Sequence, residues 1–124
     1  MKDILFYFHP VDSPPANNQG IYLVRIPIGI SDKKALLSLI ASLLRFPNYF
    51  GSNWDALDEC LTDLSWLQIP IVCILHEDIP LISNPDEARR YLQVLDGALR
   101  EPGNIPLQIS FPNATKKNIQ TLLN

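Results

Sequence analysis

Apolar positions along the chain fall into two alternating patterns. "ILFYF" (4–8) and "IYLVRI" (21–26) are β-branched or aromatic runs bounded by turn residues, which predicts strands, with the Pro/Asn/Gly-rich loop "HPVDSPPANNQG" between them. In "SDKKALLSLIASLL" (31–44) the apolar residues fall at Leu36, Leu37, Ile40, Leu43 and Leu44, a helical spacing, with Ser31 as N-cap and Pro47 beyond the end. A second helix is expected from Ser52 or Asn53 to Asp63 or Leu64. "IPIVCIL" (69–75) is a continuous apolar run, as in a central strand covered on both faces. "NPDEARRYLQVLDGALRE" (84–101) opens with Asn84, Pro85, Asp86 and Glu87, the signature of a helix start. "IPLQISF" (105–111) is a further strand, and "NATKKNIQTLLN" is compatible with a last short helix. Strands separated by helices of this length predict a small, largely parallel α/β sheet with right-handed crossovers. No internal repeat, low-complexity segment or linker interrupts the chain, so 1–124 is expected to be one domain.

Composition narrows the function classes. The net charge is −3, and Lys33–Lys34, Arg89–Arg90 and Lys116–Lys117 are isolated doublets, which argues against nucleic-acid binding. No apolar run reaches the roughly 18 residues of a membrane span, and "MKDILFYFHP" lacks the features of a signal peptide. Cys60 and Cys73 sit among apolar neighbours and read as buried, reduced thiols of a cytoplasmic protein. The five glycines form no phosphate-binding loop, and there is no CxxC or HExxH, so no cofactor, metal site or catalytic residue is expected. His76 lies in "LHED" beside Glu77 and Asp78. It reads either as a metal ligand or general base with those acids, or as a strand-end histidine before a polar loop; the second is favoured because no other catalytic group can be placed beside it. Cys73 and His76 are three apart on a strand and point to opposite faces, which disfavours a nucleophile pair.

One segment stands apart. "FPNYFGSNWDALDECLTDL" (46–64) holds Asp55, Asp58, Glu59 and Asp63 and no base. At about 100° per residue, Trp54, Leu57, Cys60, Leu61 and Leu64 share one face. Asp55, Glu59 and Asp63 fall on the opposite face, with Asp58 on its flank. Like charges at i,i+4 cost about 0.2–0.5 kcal/mol per pair, and Asp63 faces the negative end of the helix dipole. Such an arrangement reads as a solvated face or as a binding face, and "SNWD" also fits a capping box between Ser52 and Asp55. The preceding "PNYFG" tilts the balance toward binding, since an aromatic beside charge is a frequent protein-binding anchor, with Tyr49 the better candidate for exposure and Phe50 for the core.

"YFGSNWDALDECL" closely resembles the barstar family, intracellular inhibitors of small bacterial ribonucleases, and the resemblance extends over about residues 20–111. It implies a three-stranded parallel sheet packed by helices, here with an additional N-terminal strand. It also implies an immunity-type inhibitor whose acidic helix and aromatic loop block the cationic active site of a ribonuclease or related toxin. Tyr49 would be the aromatic plug, Gly51 a loop contact, Asn53 a helix-start contact, and Asp55 and Glu59 the carboxylates meeting the enzyme's bases. Asp58 and Asp63 extend that partner-binding patch. Several positions depart from the family pattern: Glu59 stands for a shorter aspartate, Asp58 for a large aromatic, Asp63 for a glycine and Leu64 for an aromatic. Gly97 stands where a further contacting acid is expected, with Asp96 one residue earlier. A non-inhibitory interaction module of the same fold within a regulatory assembly is the alternative, and the oligomeric state is left open.

Overall fold

The structure is a computed structural model that describes residues 3–10, 20–48, 50–101 and 103–124. Four strands, β1 (Tyr7–His9), β2 (Ile21–Ile26), β3 (Ile71–His76) and β4 (Leu107–Pro112), form one sheet in the order β1-β4-β3-β2. Every pairing is parallel. Two helices, α1 (Lys33–Leu43) and α2 (Trp54–Asp63), connect β2 to β3, and α3 (Pro85–Arg100) connects β3 to β4. A last helix, α4 (Lys116–Leu123), follows β4.

The register explains which sheet face carries the core. Val24 pairs with Ile74 and Ile74 with Ile109, so three branched side chains line up across β2, β3 and β4. All three are buried in one cluster with Leu36, Leu37 and Ile40 of α1, Leu57 and Leu61 of α2, and Leu92 and Leu95 of α3. Parallel strands with helical crossovers produce this arrangement because each helix must return the chain over the sheet. The carbonyls at the end of α1 lack intrahelical partners. The Tyr22 hydroxyl donates to the Leu43 carbonyl at 2.7 Å, and Trp66 Nε1 donates to that of Leu44 at 2.9 Å.

Several element ends differ from expectation, for local reasons. Asp32, not Ser31, caps α1: its carboxylate accepts from Ala35 N at 3.0 Å. Between two good capping residues in sequence, the one whose backbone is extended at the turn takes the role. The Ser52–Asp55 capping box is overturned in the same way. Ser52 sits at φ +53°, whereas Asn53 is extended and its side-chain oxygen accepts from Ala56 N at 2.7 Å. The N-terminal strand is Tyr7–His9 rather than 4–8, because pairing begins only where β4 lies alongside. Likewise β3 and β4 begin two residues later than the apolar runs that announce them, after Pro70 and Pro106.

β1 is the strand added to the expected three, and it covers the outer edge of β4. Phe6 packs on Phe111 at 5.0 Å between ring centroids, and Lys116 Nζ of α4 lies 5.5 Å from the Phe8 ring. The N-terminal strand and the C-terminal helix are thus joined on that side of the sheet.

Candidate functional site

α2 and α3 lie side by side and run in the same direction. At the start of α2, Trp54 Nε1 donates to Glu87 Oε2 at 3.2 Å, and its ring centroid is 6.0 Å from that of Tyr91. At the end, the chain beyond α3 approaches α2 so closely that a Cβ at Gly103 would lie 1.6 Å from the Thr62 carbonyl oxygen. Only glycine fits there. Trp54, Leu57, Cys60 and Leu61 are buried, as the helical spacing predicts, which fixes the rotation of α2 and turns Asp55, Asp58 and Glu59 outward.

The loop before α2 is shaped for this start. Gly51 and Asn53 are exposed, and Asn53 Nδ2 donates to the Gly51 carbonyl at 3.4 Å. A Cβ at Gly51 would meet that same amide nitrogen at 3.3 Å, so glycine leaves room for the cap. Phe50 is half-buried and packs edge-on against Phe46 at 4.9 Å, which in turn meets Trp66 at 5.9 Å. Phe50 therefore anchors the loop from inside. Tyr49 lies outside the described residues.

The four acids of α2 do not share one environment. The Asp63 carboxylate accepts from Asn104 Nδ2 at 2.9 Å and from Ser65 N at 3.3 Å. Hydrogen bonds from Ser65 and then Asn104 hold its carboxyl below the usual range. Asp63 thus ties the end of α2 to the segment before β4, and Leu64 follows it buried and left-handed at φ 54°. Asp58 behaves oppositely: partial burial, then the charges of Glu101, Asp55 and Glu59, push its carboxyl up. Glu101, just past the end of α3, lines one groove together with Asp58, a neighbour the helical wheel of α2 alone could not reveal. Among the described residues both ion pairs lie within α3, Asp86–Arg89 at 3.2 Å and Asp96–Arg100 at 2.9 Å. At the start of α2, Lys33 Nζ lies over the Trp54 ring at 5.0 Å.

Gly97 bears no acid and a Cβ there would meet open space, while Asp96 is largely buried and paired with Arg100. No helix among the described residues is long and apolar enough to cross a membrane, and no described group of three or more His, Cys, Asp or Glu is arranged to hold a metal ion. Both cysteines are free and buried.

His76 is not paired with Glu77 or Asp78. It is fully buried, stacked on Phe111 at 4.0 Å, with Nδ1 3.1 Å from the Ser110 carbonyl and Nε2 2.6 Å from the Tyr91 hydroxyl. Since a carbonyl only accepts, Nδ1 carries the proton and Nε2 accepts from Tyr91. Desolvation lowers its pKa to about 3, so the ring is neutral and serves the core. Asp78 is engaged elsewhere, accepting from Gly29 N at 3.1 Å.

The chain matches the family model described as "Barstar (barnase inhibitor)" over residues 25–118. Comparison with curated proteins and with solved structures gave no match.

Proposed function

Because the chain belongs to the barstar family, a family of barnase-type ribonuclease inhibitors, we propose that it inhibits a small basic ribonuclease or related toxin by seating the acidic face of α2 in that enzyme's cationic active site. The observation that carries this reading is the uncompensated group Asp55, Asp58 and Glu59, turned outward by a buried Trp54–Leu57–Leu61 face and flanked by no described ion pair. Carboxylates held on a rigid helix can occupy the positions where an enzyme's arginines, lysines and histidines would meet the phosphates of RNA. Their mutual repulsion in the free inhibitor is relieved when those cations arrive, so the local cost of the arrangement becomes part of the binding energy.

In this mechanism Asn53 and Gly51 hold the loop at the helix start, and Tyr49, which precedes that loop in sequence, is the aromatic contact to the enzyme. Glu59 and Asp58 extend the carboxylate face, and Glu101 closes it from α3. Asp63 belongs to the same edge but acts chiefly by anchoring α2 to Asn104. The inhibitor contributes no bond-making chemistry; it blocks access and replaces substrate charge. Charged pairs of this type speed encounter and weaken with salt.

The test is an inhibition titration with barnase, followed by other small basic ribonucleases. Loss of RNA cleavage at one equivalent of inhibitor is the expected result for the matching enzyme. Binding without loss of cleavage would instead favour a non-inhibitory interaction module.

A further inference from the structure

The aromatic side chains behind the loop that precedes α2 join three parts of the chain. Trp66 stands in a 3-10 turn, Ser65–Leu67, just past the end of α2. Its indole Nε1 donates to the Leu44 carbonyl at the end of α1 at 2.9 Å, and its ring meets Phe46 edge-on at 5.9 Å and 89°. Phe46 in turn meets Phe50 edge-on at 4.9 Å, so a side chain that follows α2 reaches the loop that comes before it. The backbone on both sides is held away from its easy conformations. Of the five non-glycine residues with positive φ among the described residues, four lie here. Arg45 at 55° and Ser52 at 53° bracket the loop, and Leu64 at 54° and Gln68 at 52° bracket the turn. None is asparagine or aspartate, the residues other than glycine that enter the left-handed region most readily. Such a backbone persists only where its surroundings fix it, and it gathers where a chain is pre-organised for a task.

We propose that Trp66 is a positioning residue for the partner-binding loop, acting through Phe46 and Phe50 to hold that loop in its bound shape before the partner arrives. The segment between Phe46 and α2 carries Tyr49 and Gly51 and leads into the Asn53 cap. Without a clasp it samples other conformations, and affinity falls by the fraction of molecules that hold the loop in place. The edge-on geometry suits the role, because a ring edge on a ring face fixes orientation as well as distance. The hydrogen bond to Leu44 ties the clasp to α1, so the loop is referenced to the core and not to α2 alone. The acids of α2 are oriented separately, by the buried Trp54–Leu57–Leu61 face. Loop shape and surface charge are therefore open to independent perturbation.

The effect on a partner rests on the inhibitor reading, but the clasp itself can be read in the free protein. Trp66→Ala is compared with the parent chain by backbone amide spectra and by titration with barnase or whichever small basic ribonuclease the parent inhibits. Shifts and broadening are expected at Phe50, Gly51 and Ser52, with Leu57 and Glu59 unmoved. Affinity should fall roughly tenfold, the scale of one aromatic pair, with the salt dependence of binding unchanged. Trp66→Phe keeps a ring and loses the indole N–H, and should restore most of both. Should Trp66→Ala fold poorly, Phe46→Leu must produce the same shifts and the same loss. Tyr91→Phe, which destabilises through the core, must leave affinity unmoved. Unshifted loop amides, or unchanged affinity for a ribonuclease that the parent inhibits, overturn the proposal. So does a loss equal in Trp66→Phe, or one reproduced by Tyr91→Phe, since the hydrogen bond or stability alone would then carry the effect. Shifted loop amides with no ribonuclease inhibited by the parent chain remove the inhibitor reading alone and keep the clasp.

Discussion

α2 and α3 are neighbours packed on the same sheet, yet they use charge in opposite ways. In α3, Asp86 and Glu87 sit in the first turn and Arg100 in the last, which complements the helix dipole. Two ion pairs form within the helix, Asp86–Arg89 and Asp96–Arg100. In α2, Asp55 alone lies where the dipole favours it, and no basic residue follows in the last turn. Asp63, the acid worst placed for the dipole, has two hydrogen-bond donors that compensate it. Among the described residues Asp58 and Glu59 have no such donor, and Asp58 is further disfavoured by burial and by Glu101. The contrast separates charge that the fold explains from charge that it does not, and the second kind is confined to one face.

Reversing charge on the outward face of α2 is the largest perturbation of this contrast. Asp55→Lys with Glu59→Lys should reduce affinity for the inhibited ribonuclease at least roughly a hundredfold, at ~1.4 kcal/mol per reversed charge. The melting temperature should change little, because the repulsion relieved within α2 offsets the dipole stabilisation lost at Asp55. Calorimetric titration beside thermal unfolding reads both. Unchanged affinity would put α2 in the same class as α3.

The next effect belongs to α3 and the core. His76 is held neutral, with its pKa lowered to about 3 against an ordinary 6.5, so unfolding takes up a proton at any pH between those values. Stability is therefore full above pH ~6.5 and falls by ~1.4 kcal/mol per unit as the pH drops toward the folded-state value. His9, lowered by burial and then by Arg25, adds loss of the same sign. Urea unfolding at pH 7.5 and 4.5 measures the slope, and His76→Gln should flatten it. At neutral pH, Tyr91→Phe leaves Nε2 of His76 without its donor and should lower stability by about 1–3 kcal/mol, with inhibition per folded molecule unchanged.

The smallest effect is expected at Asp63. Asp63→Ala removes the acceptor for Ser65 N and Asn104 Nδ2, so the melting temperature should fall while the salt dependence of binding stays near that of the parent chain. A large change in salt dependence would move Asp63 from anchor to contact.

What could be read from sequence followed from how local each feature is. β2 was legible at Ile21–Ile26 because its β-branched and aromatic run and flanking turns are contained in the segment itself, and α3 because its cap, proline and acidic first turn are consecutive. The buried and outward faces of α2 followed from its own periodicity. Capping was less legible: Ser31 and Asp32, or Ser52 and Asn53, are adjacent competitors that backbone geometry alone separates. The roles of Asp63 and His76 depend on residues 41 and 15 or 34 positions away, which only packing brings together. Glu101 was missed for the same reason, since its place beside Asp58 exists only once α2 and α3 lie parallel. The resemblance to a family supplied the expectation for the acidic face, and the geometry divided its acids into an anchor and a free group.

The most direct measurement of the central claim is the stopped-flow association rate with barnase, or with whichever ribonuclease the titration identifies, across increasing sodium chloride. A steep decline for the parent chain, and a slow, nearly salt-independent rate for Asp55→Lys/Glu59→Lys, is the predicted result. Equal rates and equal salt slopes for the two proteins would contradict it and leave the acidic face of α2 as solvated surface.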